Sequence, residues 1–215
     1  MKSASDAPAD LFESGLSTLE IDVSPVARDA IIRYLQLLDK WNSAYNLSGI
    51  KDIQKMVGYH LLDSLAVMPY INGDTILDVG TGAGLPGIPL SIVYPDKKFH
   101  LLDSNGKKTR FLFQVKTELG LDNVEIHHAR IESFQSPDQI DIVICRAFAP
   151  LERITRQISH ILKDGGCLLA MKGQFPEAEI AELPDEYRVE NTVQLPVPGV
   201  DGTRHLLTVR PAGNR

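Results

Sequence analysis

The chain has 215 residues, 43% of them apolar and 23% charged, with 22 basic against 28 acidic side chains. That length makes one domain, or one with a short appendage, able to bury a core without staples, and the composition excludes a disordered or collagen-like chain. A net charge of −6 excludes a polybasic binder but not a local basic face.

The charge is uneven: residues 1–30 carry two bases and six acids, whereas residues 97–116 carry six bases and one acid, Asp103. No apolar run approaches the ~18 residues of a membrane helix, and the polar, acidic N-terminus lacks the apolar stretch of a secretion signal. A cytoplasmic protein without membrane association is expected. Cys145 and Cys167 stand alone, with no CxxC spacing and no clustered histidines, so neither a disulfide framework nor a metal site is expected. Nothing in the sequence calls for an obligate dimer, and a monomer is expected.

Residues 1–10 read as a frayed tail and 11–22 as a short helix. Ser24-Pro25 is a helix start, a capping serine with proline in the first turn. Ala27, Ile31, Tyr34, Leu35, Leu38, Trp41 and Tyr45 then mark one helical face. Asp52 caps a further helix carrying Ile53, Met56, Val57, Leu61, Leu65 and Met68. After Gly73 short apolar runs begin to alternate with helical segments. Strands are predicted at 75–80, 98–103, 124–129, 141–147 and 167–172, with helices at 86–94, 106–119, 150–162 and 176–183. Lys163-Asp164-Gly165-Gly166 reads as a helix stop, and YRVENTVQLP and HLLTVRP as two last strands. Such alternation predicts an α/β fold, a doubly wound, mostly parallel sheet with helices on both faces. The final pair, joined by a Pro-Gly loop, predicts an antiparallel edge. Residues 1–70 form an N-terminal tail and helical cap and residues 71–215 the sheet domain, together one unit.

Asp78-Val79-Gly80-Thr81-Gly82-Ala83-Gly84-Leu85-Pro86-Gly87 follows the first strand and opens a helix. Glycines belong there because a ligand lies against bare backbone at the carboxyl end of the strand. Asp103 ends the second strand, where a carboxylate can accept both hydroxyls of a ribose. Gly82-x-Gly84-x-x-Gly87 satisfies the dinucleotide pattern, so an NAD(P)-dependent oxidoreductase is a rival reading, and a non-catalytic nucleotide-sensing module a third. Two details weigh against phosphate. Pro86 has no N–H to offer a pyrophosphate, and Asp78 sets a negative charge at the start of the loop. Both suit S-adenosylmethionine, which has a ribose, a cationic sulfonium and no phosphate.

LDVGTGAGLPGIPLSIVYPDKKFHLLDSNGKKTRFL, with CRAFAPL and MKGQFPEAEI, resembles the 16S ribosomal RNA guanine-N7 methyltransferase G family, also called glucose-inhibited division protein B. The likeness runs from about Trp41 to His205. It implies a class I methyltransferase (Rossmann-like) sheet, S-adenosyl-L-methionine as donor, and N7 of a guanine in 16S rRNA or the small ribosomal subunit as acceptor, guanine 527 in the family. It also implies cofactor contacts at Gly80, Leu85, Ile131, Glu132 and Arg146; Gly82, Gly84 and Asp103 join them from the loop geometry. Guanine N7 already carries a lone pair, so alignment matters more than acid–base groups.

Arg146 and Phe148, just past the fourth strand, are candidates to meet the base, an arginine by donating to O6 and a phenylalanine by stacking. Arg146 is thus a candidate for catalysis and for the cofactor, while Phe148 reads equally as core. His60 and Asp63 share a helix face and could wall the cofactor. Lys172 and Arg204 are candidates for phosphate. Lys107, Lys108, Arg110 and Lys116 give one helix a basic stripe, and the first three are the expected RNA footprint.

Overall fold

The computed structural model describes residues 7–212. Residues 1–6, most of the tail read as frayed, lie outside the described residues. Helix α1 spans Ala7–Leu19, so it starts ahead of residue 11. Helix α2, Pro25–Tyr45, is capped by Ser24, whose hydroxyl accepts the Ala27 N–H at 3.3 Å. Ile31, Tyr34, Leu35 and Leu38 are buried as the spacing predicts, but Tyr45 is 48% exposed. Asn42 takes the buried position instead, because its amide accepts from Ser48 N and donates to Ile50 O, closing the loop after the helix. A third helix, α3, covers residues 53–65. Asp52 caps it by accepting the Gln54 N–H, and its middle, Val57–Leu62, winds as a π-helix.

Seven strands follow: β1 Thr75–Val79, β2 Lys98–Asp103, β3 Val124–His128, β4 Ile140–Arg146, β5 Leu162–Lys172, β6 Tyr187–Gln194 and β7 His205–Pro211. They order as β3-β2-β1-β4-β5-β7-β6. The first five are parallel, and β7 runs antiparallel to both β5 and β6. One boundary differs from the sequence reading. Lys163–Gly166 belongs to β5 rather than to a helix stop: the register shifts against Ile140/Ile142, and Gly165 takes φ +78°, as a bulge does.

Helices α4 Gly87–Val93, α5 Gly106–Leu119, α6 Leu151–Ile158 and α7 Glu177–Ala181 lie between the strands. Alternate strand residues feed two cores. Ile76, Ile142 and Ile144 face one with Phe12, Tyr34, Ile88 and Phe111, while Leu77, Val143 and Cys145 face the other with Leu151, Ile154 and Ile158. The N-terminal helices therefore share a core with α4, α5 and one face of the sheet. The strand order reverses between β1 and β4, and in such sheets the crevice outside the carboxyl ends of the strands takes ligands.

Tyr34, fully buried on α2, donates its hydroxyl to the Ala83 carbonyl at 2.8 Å, tying the helical layer to the glycine loop. Tyr34→Phe leaves that buried carbonyl unpaired, so stability should fall by about 1–3 kcal/mol in denaturant unfolding; an unchanged midpoint would mean the bond contributes nothing to the loop.

Candidate active site

The glycine loop holds itself. Gly80, Gly82 and Gly84 take φ of +67°, +62° and +95°, where a side chain is strained. Asp78 is fully buried, and its Oδ2 accepts from Thr81 Oγ1 at 2.7 Å and Gly87 N at 2.8 Å. It therefore faces into the turn rather than toward a cationic ligand, a correction to the sequence reading. Burial pushes its carboxyl up to about 6.

A cavity of about 420 Å³ opens beside the loop, lined by Gly80, Asp103, Ile131, Glu132, Phe148 and Lys108, among others. Asp103 accepts Gly82 N at 2.9 Å on Oδ2 and Asn105 N at 2.8 Å on Oδ1. Glu132 Oε1 accepts from Gln157 Nε2 at 2.6 Å. Phe148 is 39% exposed, not core, and lies over Gly80, where an added Cβ would collide with its ring. Gly82 reaches the site through its N–H alone. Gly84 packs against Ile88 and Leu112, and the Leu85 side chain lies in the core beneath.

Arg146 turns away from this cavity into a second one, of about 350 Å³, with His60, Asp63, Lys172, Arg204 and Tyr59; Ala147 borders both. Its guanidinium donates to Tyr59 O at 2.7 Å and Asp63 Oδ2 at 3.0 Å. Asp63, 3% exposed, also faces Arg204 Nε at 3.3 Å from Oδ1. The π-helical turn sets this up: the Asp63 N–H reaches back to Gly58 O, and Gly58 lets the Pro198-Gly199 backbone come close. Tyr59 Oη donates to Asp201, holding the loop that carries Arg204. His60 Nε2 meets Ser48 Oγ at 2.7 Å, and its buried Nδ1 has no partner among the described residues. Burial and the Arg146 charge push His60 down to about 4, leaving it neutral at pH 7. Ala147, at the junction, has φ +50°, a backbone cost typical of functional sites.

The profile of the rRNA small subunit methyltransferase G family matches residues 27–207. The chain belongs to that family. Curated relatives called ribosomal RNA small subunit methyltransferase G include one from Marinobacter nauticus, 49% identical over 94% of each chain. Another, from Escherichia coli, is 48% identical over 88% of this chain and 92% of its own. Among solved structures, an S-adenosylmethionine-dependent methyltransferase from Aquifex aeolicus is 22% identical with a TM-score of 0.54, over 69% of this chain and 90% of that one; it shares the fold. The protein is thus a methyltransferase with S-adenosylmethionine as its donor, and the oxidoreductase and nucleotide-sensing readings fall.

The expected RNA stripe is divided. Lys107 and Arg110 are exposed; Lys108 stands 3.8 Å from Asp103 at the first cavity, and Lys116 donates to Val124 O. Lys172 is held by Glu179 at 2.7 Å and Ala149 O. Sequence reasoning missed Tyr34, Ser48, Tyr59 and Gln157, which carry no local motif.

Asp78 also makes stability depend on pH. Its folded value, about 6, lies above the ordinary 3.8, so the folded state binds the extra proton between these values. Asp78 therefore destabilises the fold above pH 6, and that cost is lost as pH falls toward 4. Asp78→Asn is isosteric and keeps an acceptor for Thr81 and Gly87. Its stability relative to wild type should drop by about 2 kcal/mol from pH 8 to pH 4; a difference constant across pH would show an ordinary carboxyl.

Proposed function

We propose that the protein transfers the methyl group of S-adenosylmethionine to N7 of a guanine in 16S rRNA, guanine 527 by the family's pattern, as a cytoplasmic monomer. The observation that carries the proposal is the pair of cavities meeting at Ala147. The first suits the cofactor. Each Asp103 oxygen accepts one backbone N–H and keeps capacity for another donor, as two ribose hydroxyls require. The Gly80 backbone, with the Phe148 ring across it, and the Ile131-Glu132 turn border the space for the rest of the nucleoside. The cofactor, when bound, supplies an electrophilic methyl on a sulfonium.

The chain has little proton chemistry to perform, because N7 needs no base. Arg146, oriented by Asp63 and Tyr59, is placed to donate to the guanine O6 and hold N7 in line. Asp63 pairs with both the Arg146 and the Arg204 guanidinium and offsets one of the two charges, and His60 stays neutral, so the second cavity keeps one positive charge in excess, which favours RNA phosphate there. Phe148 lines the first cavity alone, across Gly80, and there suits an apolar contact with the donor rather than the stacking on the base read from the sequence. Lys107 and Arg110 face solvent and suit RNA phosphates; Arg204, paired with Asp63 at the second cavity, is a nearer phosphate contact. Lys172 is neutralised by Glu179 and contributes less.

The test is methyl transfer from labelled donor to 16S rRNA and to 30S particles, with the product nucleoside identified by mass spectrometry. The expected product is 7-methylguanosine. Arg146→Ala should lower single-turnover transfer by about 100-fold at saturating donor. Lys107→Gln with Arg110→Gln should instead weaken RNA binding and flatten its salt dependence by ~0.7 units of slope per lost contact, with donor affinity unmoved. A methylated nucleoside other than 7-methylguanosine, or an unchanged rate for Arg146→Ala, would overturn the proposal.

A further inference from the structure

The sequence offers no histidine cluster, yet the parallel pairing of β2 and β3 builds one. Their register sets His100 opposite Glu125 and Leu102 opposite His127, so His100, Glu125 and His127 converge on one face of the sheet edge. His100 Nδ1 stands 2.9 Å from His127 Nε2 and 3.5 Å from Glu125 Oε2, and His127 Nε2 stands 4.0 Å from that oxygen. These separations bracket the ~3.3 Å that ligand atoms keep from one another around a tetrahedral ion with bonds of ~2.0–2.1 Å.

A second observation orients the ligands. His100 is fully buried, and its other ring nitrogen, Nε2, stands 3.0 Å from Asp138 Oδ2 with no hydrogen-bond partner among the described residues, a buried polar atom that a small turn of the ring would pair with that carboxylate. A carboxylate behind a ligating histidine is the usual outer partner that fixes the tautomer and turns the free lone pair toward the ion. Glu125 is half exposed, which leaves an outward position for water. Lys98 contacts the opposite side of the cluster, Glu125 Oε1 at 2.9 Å and Asp138 Oδ2 at 2.6 Å, and leaves Glu125 Oε2 to the histidines.

We propose that His100, Glu125 and His127 bind a divalent transition-metal ion of the zinc class, with Asp138 as the outer partner of His100. Two imidazoles and a carboxylate suit zinc rather than magnesium or calcium. The site is structural. It clasps β2 to β3 and, through Asp138, to the loop entering β4. The same two strands run on within three residues to Asp103 and Ala129, on the wall of the first cavity. Lys98 adds a cation beside the ion and sets the affinity below that of an uncompensated site.

The full chain, free of affinity tags and stripped of metal, is titrated with Co2+ for its ligand-field absorption and with Zn2+ by calorimetry. One equivalent should bind, with the intense bands of tetrahedral cobalt, and Zn2+ should raise the melting temperature. Glu125→Gln and His127→Gln alter partly exposed side chains, and each should weaken Zn2+ at least tenfold and abolish the bands. Lys98→Gln should tighten binding by removing the competing cation, which a mere surface histidine site would not show. Absence of the cobalt bands in the wild type, or Zn2+ affinity unmoved by both ligand substitutions, would overturn the site.

Discussion

The contact on which the site depends is the ion pair between Arg146 and Asp63. It joins the end of β4 to the π-helical turn of α3, the sheet to the helical layer. Asp63 is almost fully buried, so its charge depends on its two arginine partners, Arg146 and Arg204. The pair lines the second cavity, and Ala147, next in the chain, turns through a positive φ and borders both. Misplacing the guanidinium would change the shape of the second cavity.

Around that boundary, rigid supports come from backbone-directed side chains. Asp78 takes two hydrogen bonds from the glycine loop, Asp103 takes one from the loop and one from Asn105 in its own turn, and Tyr34 holds the loop from the outside. Preorganisation of this kind suits a reaction whose nucleophile is ready at neutral pH, because alignment is then the main contribution the protein can make.

Much of the fold is legible in the sequence, because the strands and helices are written in period and punctuation: Ser24-Pro25, Asp52, the glycine loop and the Pro-Gly connection each mark a boundary locally. The bulged start of β5 is not legible, since Asp164-Gly165-Gly166 reads as a turn until a partner strand pairs with it. The first cavity was half legible, as Gly80 and Asp103 are local signals. The second was not, because Ser48, Tyr59, Asp63, Arg146 and Arg204 meet only through tertiary packing. Asp78 reads as a loop charge and turns out to be a buried acceptor; exposure is a property of the fold, not of the residue type. His100 and His127 likewise become neighbours only through strand register.

If the donor and the base occupy separate, adjoining cavities, hydrogen exchange of the full chain with and without S-adenosylhomocysteine will show it. Exchange should slow at the amides of Gly82 and Asn105 and across residues 129–132, with no change across residues 57–63. Protection across 57–63 in place of the Asp103 loop would contradict it.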